Sequence, residues 1–174
     1  PRRQKLCIHN LEHLSETSKN ELREAFIKCA AKETYFLWQK YKNDKKDDTD
    51  FEKELIQGTI PEEFKRQMFY TYGDYRDFLF GTDISKGHGK GSNLENKINF
   101  LFPENSDGKT PGNLTREDWW EKNAKDIWEG MVCGLSHHIK EAEREKFNKS
   151  EAYKYSTVSS RLEDFASRPQ FFRW

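Results

Sequence analysis

One stripe of residues constrains this chain more than any other feature. Phe64, Met68, Tyr72, Tyr75 and Leu79 recur at i, i+4, i+8, i+11 and i+15. That period sets all five on one face of an α-helix. Pro61 suits the first turn of such a helix, where its missing N–H costs nothing, and Gly81 suits its stop.

The same period returns along the chain. A helix is expected from about Lys19 to Tyr41, with Leu22, Phe26, Cys29, Ala30, Phe36 and Leu37 as its apolar positions and Ser18 with Glu21 as a capping box. It runs out into the charged stretch Lys40 to Asp50. Phe51, Leu55 and Ile56 start a second helix that Gly58 breaks. Leu94, Ile98, Leu101 and Phe102 make a short one that ends at Pro103. Thr115 and Asp118 cap a long helix, expected from about Arg116 to Lys146, with Trp120, Ala124, Ile127, Trp128, Met131, Leu135 and Ile139 along its stripe. Between these lies the turn-rich stretch Glu104 to Asn113. Ser160 to Trp174 reads as a last helical or irregular segment. No stretch alternates with the period of a strand, and there is no internal repeat. The fold class is all-α, a bundle of long helices running antiparallel across modest loops.

Composition bounds the rest. The 174 residues suit one domain or part of one. Charged residues reach 34%, which alone would allow disorder, but aromatics reach 14%, and such rings bury large apolar areas. A folded domain with an aromatic core and a charged surface is expected. Thirty basic and thirty acidic residues cancel, which argues against a nucleic-acid polyelectrolyte. No apolar run approaches the ~20 residues that cross a bilayer. There is no signal-peptide pattern, and Pro1-Arg2-Arg3-Gln4 reads like the middle of a longer chain. Cys7, Cys29 and Cys133 form no CxxC pair and no histidine cluster stands at zinc spacing, so no metal and no cofactor is expected. The odd count leaves at least one thiol free or paired outside the sequence.

The stretch GTDISKGHGKGSN, Gly81 to Asn93, looks like a phosphate loop. Such a loop needs a strand before it and a Gly-Lys-Ser or Gly-Lys-Thr ending. Here a helix precedes it and Lys90 is followed by Gly91, so it reads as a flexible surface loop with His88 exposed to solvent. Asp74 and Asp77 could do acid–base work, but i, i+3 carboxylates on a helix suit a structural link to Arg or Lys on a neighbouring helix. Trp119, Trp120 and Trp128 could stack a sugar or a base; on a helical stripe they read as core. His137 and His138 are adjacent and point to different faces. N-x-S/T sequons stand at Asn113 and Asn148. Basic side chains collect at Arg2, Arg3 and Lys5, at Lys40, Lys42, Lys45 and Lys46, at Lys86 and Lys90, and at Arg144, Lys146 and Lys149. Lys40, Lys42, Lys86 and Lys90 are the candidates for holding a sulfated glycan, against the simpler reading as solvated faces interspersed with Asp44, Asp47 and Asp48.

Five blocks then combine into something specific: PRRQKLC (Pro1 to Cys7), FIKCAAKETYFLWQKYK (Phe26 to Lys42), GTIPEEFKRQMFYTYGDYRDFLFGTDIS (Gly58 to Ser85), WWEKNAKDIWEGMVCGL (Trp119 to Leu135) and RPQFFRW (Arg168 to Trp174). Together they resemble the Duffy-binding-like domain of malaria-parasite adhesins, most closely that of the erythrocyte membrane protein 1 family shown on infected red cells. The resemblance spans essentially the whole chain. It implies an all-α domain of three subdomains, of which residues 1–15 are the end of the first and its junction, residues 16–174 are the helical bundle of the second, and the third lies beyond Trp174. It also implies a non-enzymatic adhesion module on the extracellular face of the infected erythrocyte, subject to antigenic variation. The partners it implies are host molecules: intercellular adhesion molecule 1, another endothelial receptor, immunoglobulin M, or a sulfated glycosaminoglycan. Neighbouring domains of the same ectodomain are further partners. The alternative is a non-binding scaffold or antigenic spacer. By the same resemblance Cys29 pairs with Cys133, and Cys7 pairs with a cysteine upstream of Pro1. Closing a loop of about 100 residues is worth about 4–5 kcal/mol on the chain-entropy account. Some relatives carry a further cysteine before the P-Q-F-x-R-W block; this chain has none there, so the subtype stays open.

Overall fold

The computed structural model describes residues 6–14, 18–85, 87–103 and 114–173. These form nine α-helices and two single 3-10 turns, with no strand among the described residues. The helices are α1 (His9–Glu12), α2 (Lys19–Asp44), α3 (Asp50–Ile56), α4 (Glu62–Phe80), α5 (Asn93–Leu101), α6 (Arg116–Ser136), α7 (Arg144–Lys149), α8 (Tyr155–Ser167) and α9 (Gln170–Arg173). The all-α expectation holds.

Local chemistry sets most boundaries. The hydroxyls of Ser18, Ser92 and Thr115 accept the backbone N–H of Glu21, Glu95 and Asp118 at 3.1, 3.2 and 3.1 Å, closing the first turns of α2, α5 and α6. Pro61 caps α4, which stops at Gly81 with φ 69°.

Three long helices carry the core. The α4 stripe is fully buried at Phe64, Met68, Tyr72, Tyr75 and Leu79. Facing side chains come from Phe26 and Trp38 of α2 and from Trp119, Ile127, Trp128 and Met131 of α6. Rings meet edge-on or tilted, as their quadrupoles favour: Trp38 on Phe64 at 4.9 Å, Phe26 on Trp119 at 5.4 Å, Tyr72 on Trp120 at 5.1 Å. Helices α2 and α6 pack closely. A Cβ on Gly134 would stand 2.9 Å from the Ala31 carbonyl carbon, so the two backbones approach to a distance only glycine permits.

The structure corrects one element. The single helix expected from Arg116 to Lys146 ends at Ser136 and resumes as α7. No proline marks the break. His138 stacks on Tyr35 of α2 at 4.0 Å, with its Nε2 2.8 Å from the Tyr35 carbonyl oxygen. Arg144 Nε donates to the carbonyls of Ser136 and Ile139 at 3.1 and 2.9 Å. A tertiary contact turns the chain, and a returning side chain satisfies the exposed carbonyls.

The segment from Ser160 onward is the end of α8, followed by α9. Glu163 of α8 accepts from the hydroxyls of Tyr72 and Tyr155 and from the Trp120 indole N–H, the last two at 3.1 Å. One carboxylate thus ties α8 to α4 and α6.

Candidate functional site

The residues flagged by their chemistry are mostly spent internally. Asp74 and Asp77 face inward from the last turns of α4. Arg173 of α9 donates to Asp77 and lies 3.6 Å from Asp74, with both its guanidinium and the Asp74 side chain fully buried. Thr82 Oγ1 donates to Asp77 at 2.8 Å. Gln170 Nε2 donates to Asp74 and Asp83 at 3.2 and 2.7 Å, and its Oε1 accepts the Ile84 amide at 2.7 Å. Burial holds the Asp77 carboxyl up at about 6 despite the guanidinium beside it. The expected structural network is there, and its cation is Arg173. The guanidinium sits over Gly73, where a Cβ would come within 2.9 Å of Nε, so YGDYRD places its glycine where the arginine lands.

The glycine-rich stretch differs from the expectation of a flexible surface loop. His88 is 5% exposed and meets Phe78 edge-on at 5.6 Å. The Gly89 amide donates to the Ser85 carbonyl at 3.1 Å and the Gly91 amide to Glu95 at 2.5 Å. Ser85 donates to Asp83, and Ser92 to the His88 carbonyl at 3.0 Å. A phosphate cradle needs free amides, and these are committed. The loop folds because the Asp83 and Gln170 pairing gives it something to fold on, a contact between segments 87 residues apart.

The lysine candidates do not converge. Lys40 pairs with Asp44 at 3.5 Å and Lys42 with Glu52 at 3.7 Å, at the end of α2 that meets the start of α4 through Lys45 and Glu63. Lys90 is exposed beyond the other end of α4, roughly 30 Å away by helix length. Lys86 lies outside the described residues, as do Arg2, Arg3, Lys5, the stretch 104–113 and the sequon at Asn113. Asn148 is exposed on α7. The three tryptophans are core, and their indole N–H groups donate to Lys19 O, Glu163 and Tyr153 O.

The thiols stand unpaired. Cys29 is fully buried, next to α1, and burial pushes it up to about 11, with the Cys7 thiol adding to the rise. Cys133 is exposed, 4.0 Å from His137 Nε2. The Cys29–Cys133 bond expected from the resemblance is not formed here, and the two side chains face different neighbours.

Sequence reasoning did not find one open feature of the surface. A groove of about 700 Å³ runs between the first half of α4 and α8. Its apolar lining is Phe69, Val158 and Phe165, with Phe69 and Phe165 rings 6.1 Å apart. Its carboxylates are taken: Glu62 by Lys65 at 2.5 Å, Glu63 by Lys45 at 2.6 Å, Asp164 by Arg168 at 2.8 Å. Arg66 and Arg161 also line it, are exposed, and carry no partner among the described residues. Nothing in the order of residues foretold this, because Arg66 and Arg161 lie on helices that only the tertiary fold brings side by side.

The described residues thus form an all-α domain whose polar chemistry is largely spent on locking helices together, with an open groove on its surface. The chain belongs to the Duffy binding domain family, which matches residues 1–173. It is 24% identical to the Duffy receptor beta form of Plasmodium knowlesi over 149 residues, 79% of this chain and 11% of that protein. It is 25% identical to the Duffy receptor of Plasmodium vivax (strain Salvador I) over 140 residues, 80% of this chain and 12% of that protein. The chain thus spans about a tenth of the length of these relatives. No solved structure matches it.

Proposed function

We propose that this chain is part of one Duffy-binding-like domain and serves as an adhesion module that binds a host receptor. The observation that carries the reading is the family match over nearly the whole chain, joined to relatives named as Duffy receptors. The physical character of the domain supports it. Ion pairs, ring contacts and shared carboxylates hold the helices in fixed relation, so a surface can be presented with little ordering cost on binding. The buried carboxylates of α4 serve Arg173 and Gln170, which favours a non-enzymatic role.

The finer reading follows the resemblance to the erythrocyte membrane protein 1 family. In it the module stands on the extracellular face of the infected erythrocyte and acts in cytoadherence. Its partner is intercellular adhesion molecule 1, another endothelial receptor, immunoglobulin M or a sulfated glycosaminoglycan. Lys40, Lys42, Lys86 and Lys90 are the glycan candidates. Residues 1–15 belong to the end of the first subdomain and residues 16–174 to the second.

The test is binding of the domain, with its neighbouring segments, to immobilised host proteins and sulfated glycans at low and physiological salt. A saturable protein hit that survives salt supports protein-receptor adhesion. Binding to glycans alone, lost with salt and on neutralising the four lysines, supports the glycan branch. A folded sample that binds nothing overturns the adhesion reading in favour of a spacer.

A further inference from the structure

We propose that the α4–α8 groove is a recognition site for a short acidic and apolar segment of a protein partner, its carboxylates held by Arg66 and Arg161 and a neighbouring apolar side chain laid on Phe69 and Phe165. This deepens the receptor-binding reading and rests on it for the partner being a host protein.

The argument is one of charge and shape. The groove is walled by seven charged side chains. Three of its acids already hold cations, namely Glu62 with Lys65, Glu63 with Lys45 from α2, and Asp164 with Arg168. What remains is one guanidinium on each wall, Arg66 from α4 and Arg161 from α8, with no acid assigned to either among the described residues. A guanidinium presents a planar fork of donors that matches a carboxylate two bonds at a time. Phe69, Val158 and Phe165 line the same groove as the two arginines, an apolar strip that takes an aliphatic or aromatic side chain.

The same walls select against a polysulfated chain. Such a ligand brings many closely spaced charges, and with Lys65, Lys45 and Arg168 already paired to Glu62, Glu63 and Asp164 only the two arginines are left to meet them. A segment with one or two carboxylates beside an apolar residue matches both free cations and the apolar strip. The rings are already fixed, with Phe69 against Trp128 at 5.7 Å and Phe165 against Tyr70 at 5.0 Å, so the strip exists before a partner arrives.

The experiment pans a displayed library of short random peptides on the folded protein and on the double variant Arg66→Gln/Arg161→Gln. Both arginines are exposed, so the variant is expected to melt with the native protein. Peptides with Asp or Glu beside Leu, Phe or Tyr should be enriched on the native protein and bind the variant roughly tenfold or more weakly. The reversed pair Arg66→Glu/Arg161→Glu should enrich Lys or Arg in the same pattern. Enrichment without acids, no enrichment, or equal binding to both proteins overturns the proposal. So does a heparin fragment that displaces the peptides and loses its own affinity in the Gln variant, since that assigns the groove to a glycan. Binding to host cells is scored separately. Cell binding retained by a variant that has lost its peptides leaves the groove as a peptide site and overturns it as the adhesion face. Peptide capture with no cell binding in the native protein sinks the adhesion reading and supports the groove.

Discussion

Arg173 reaches back 96 residues to donate to Asp77 inside α4. The pair is almost wholly buried, and its guanidinium also donates to the Ala166 carbonyl at 3.1 Å. A four-residue helix cannot hold itself together, so α9 keeps its place through this link and through Gln170.

Arg173→Met should therefore destabilise the protein by about 3–5 kcal/mol, because it strands Asp74 and Asp77 in the interior. The double variant with Asp77→Asn should recover part of that loss. Denaturant unfolding of the four proteins in the cycle reads the coupling; strictly additive losses would deny the link.

Asp77 also sets a pH dependence. Its folded value is raised to about 6 from an ordinary 3.8, chiefly by burial. The folded protein then binds the extra proton between about pH 4 and 6, so the stability linked to this group is full below pH 4 and falls as pH rises through 6. Asp77→Asn does not titrate. The stability difference between native protein and variant should change across that window and be level above and below it, and a difference flat at all pH would refute the assignment.

Glu163 is the acceptor for three donors from three helices. Glu163→Ala should cost about 2–4 kcal/mol, since buried donors of Tyr72 and Trp120 lose their acceptor. Glu163→Gln should cost less, as its carbonyl still accepts. Thermal melts rank the two, and a reversed order would contradict the geometry.

Gly134→Ala should destabilise by about 1–3 kcal/mol by pushing α6 off α2 at Ala31. The neighbouring exposed change Glu129→Ala serves as control and should be near neutral.

Alkylation of the native protein without reductant should label Cys133 first and leave Cys29 protected until unfolding. Cys133 is exposed, whereas Cys29 is buried with its thiolate disfavoured. Mass mapping that finds neither thiol reactive, even after unfolding, would mean that the two are bonded.

Some of this was legible in the residues and some was not. Phe64, Met68, Tyr72, Tyr75 and Leu79 announced α4, because burial repeats with the pitch of the helix. Ser18 and Thr115 announced helix starts, because a cap acts within one turn; Ser92, which caps α5, was passed over inside the glycine-rich stretch. Asp74 and Asp77, three apart on an apolar helix, announced a basic partner, arginine or lysine, without saying which. The break after Ser136 was hidden because its cause, Tyr35, lies on another helix. His88 was misread because a glycine-rich run looks mobile until Gln170 gives the loop an anchor.

By itself, then, the sequence determined most of the helices, most of their buried faces and the family to which they belong, since each depends on residues within a few turns or on matching blocks; Phe36, expected on the apolar stripe of α2, is exposed, and Trp38 is buried instead. Only the tertiary structure decided that Arg173 closes on Asp77, that the glycine loop is packed, and that Arg66 and Arg161 face one groove. Those depend on which helix surfaces meet, and the free energy of that meeting is shared among residues far apart in the chain.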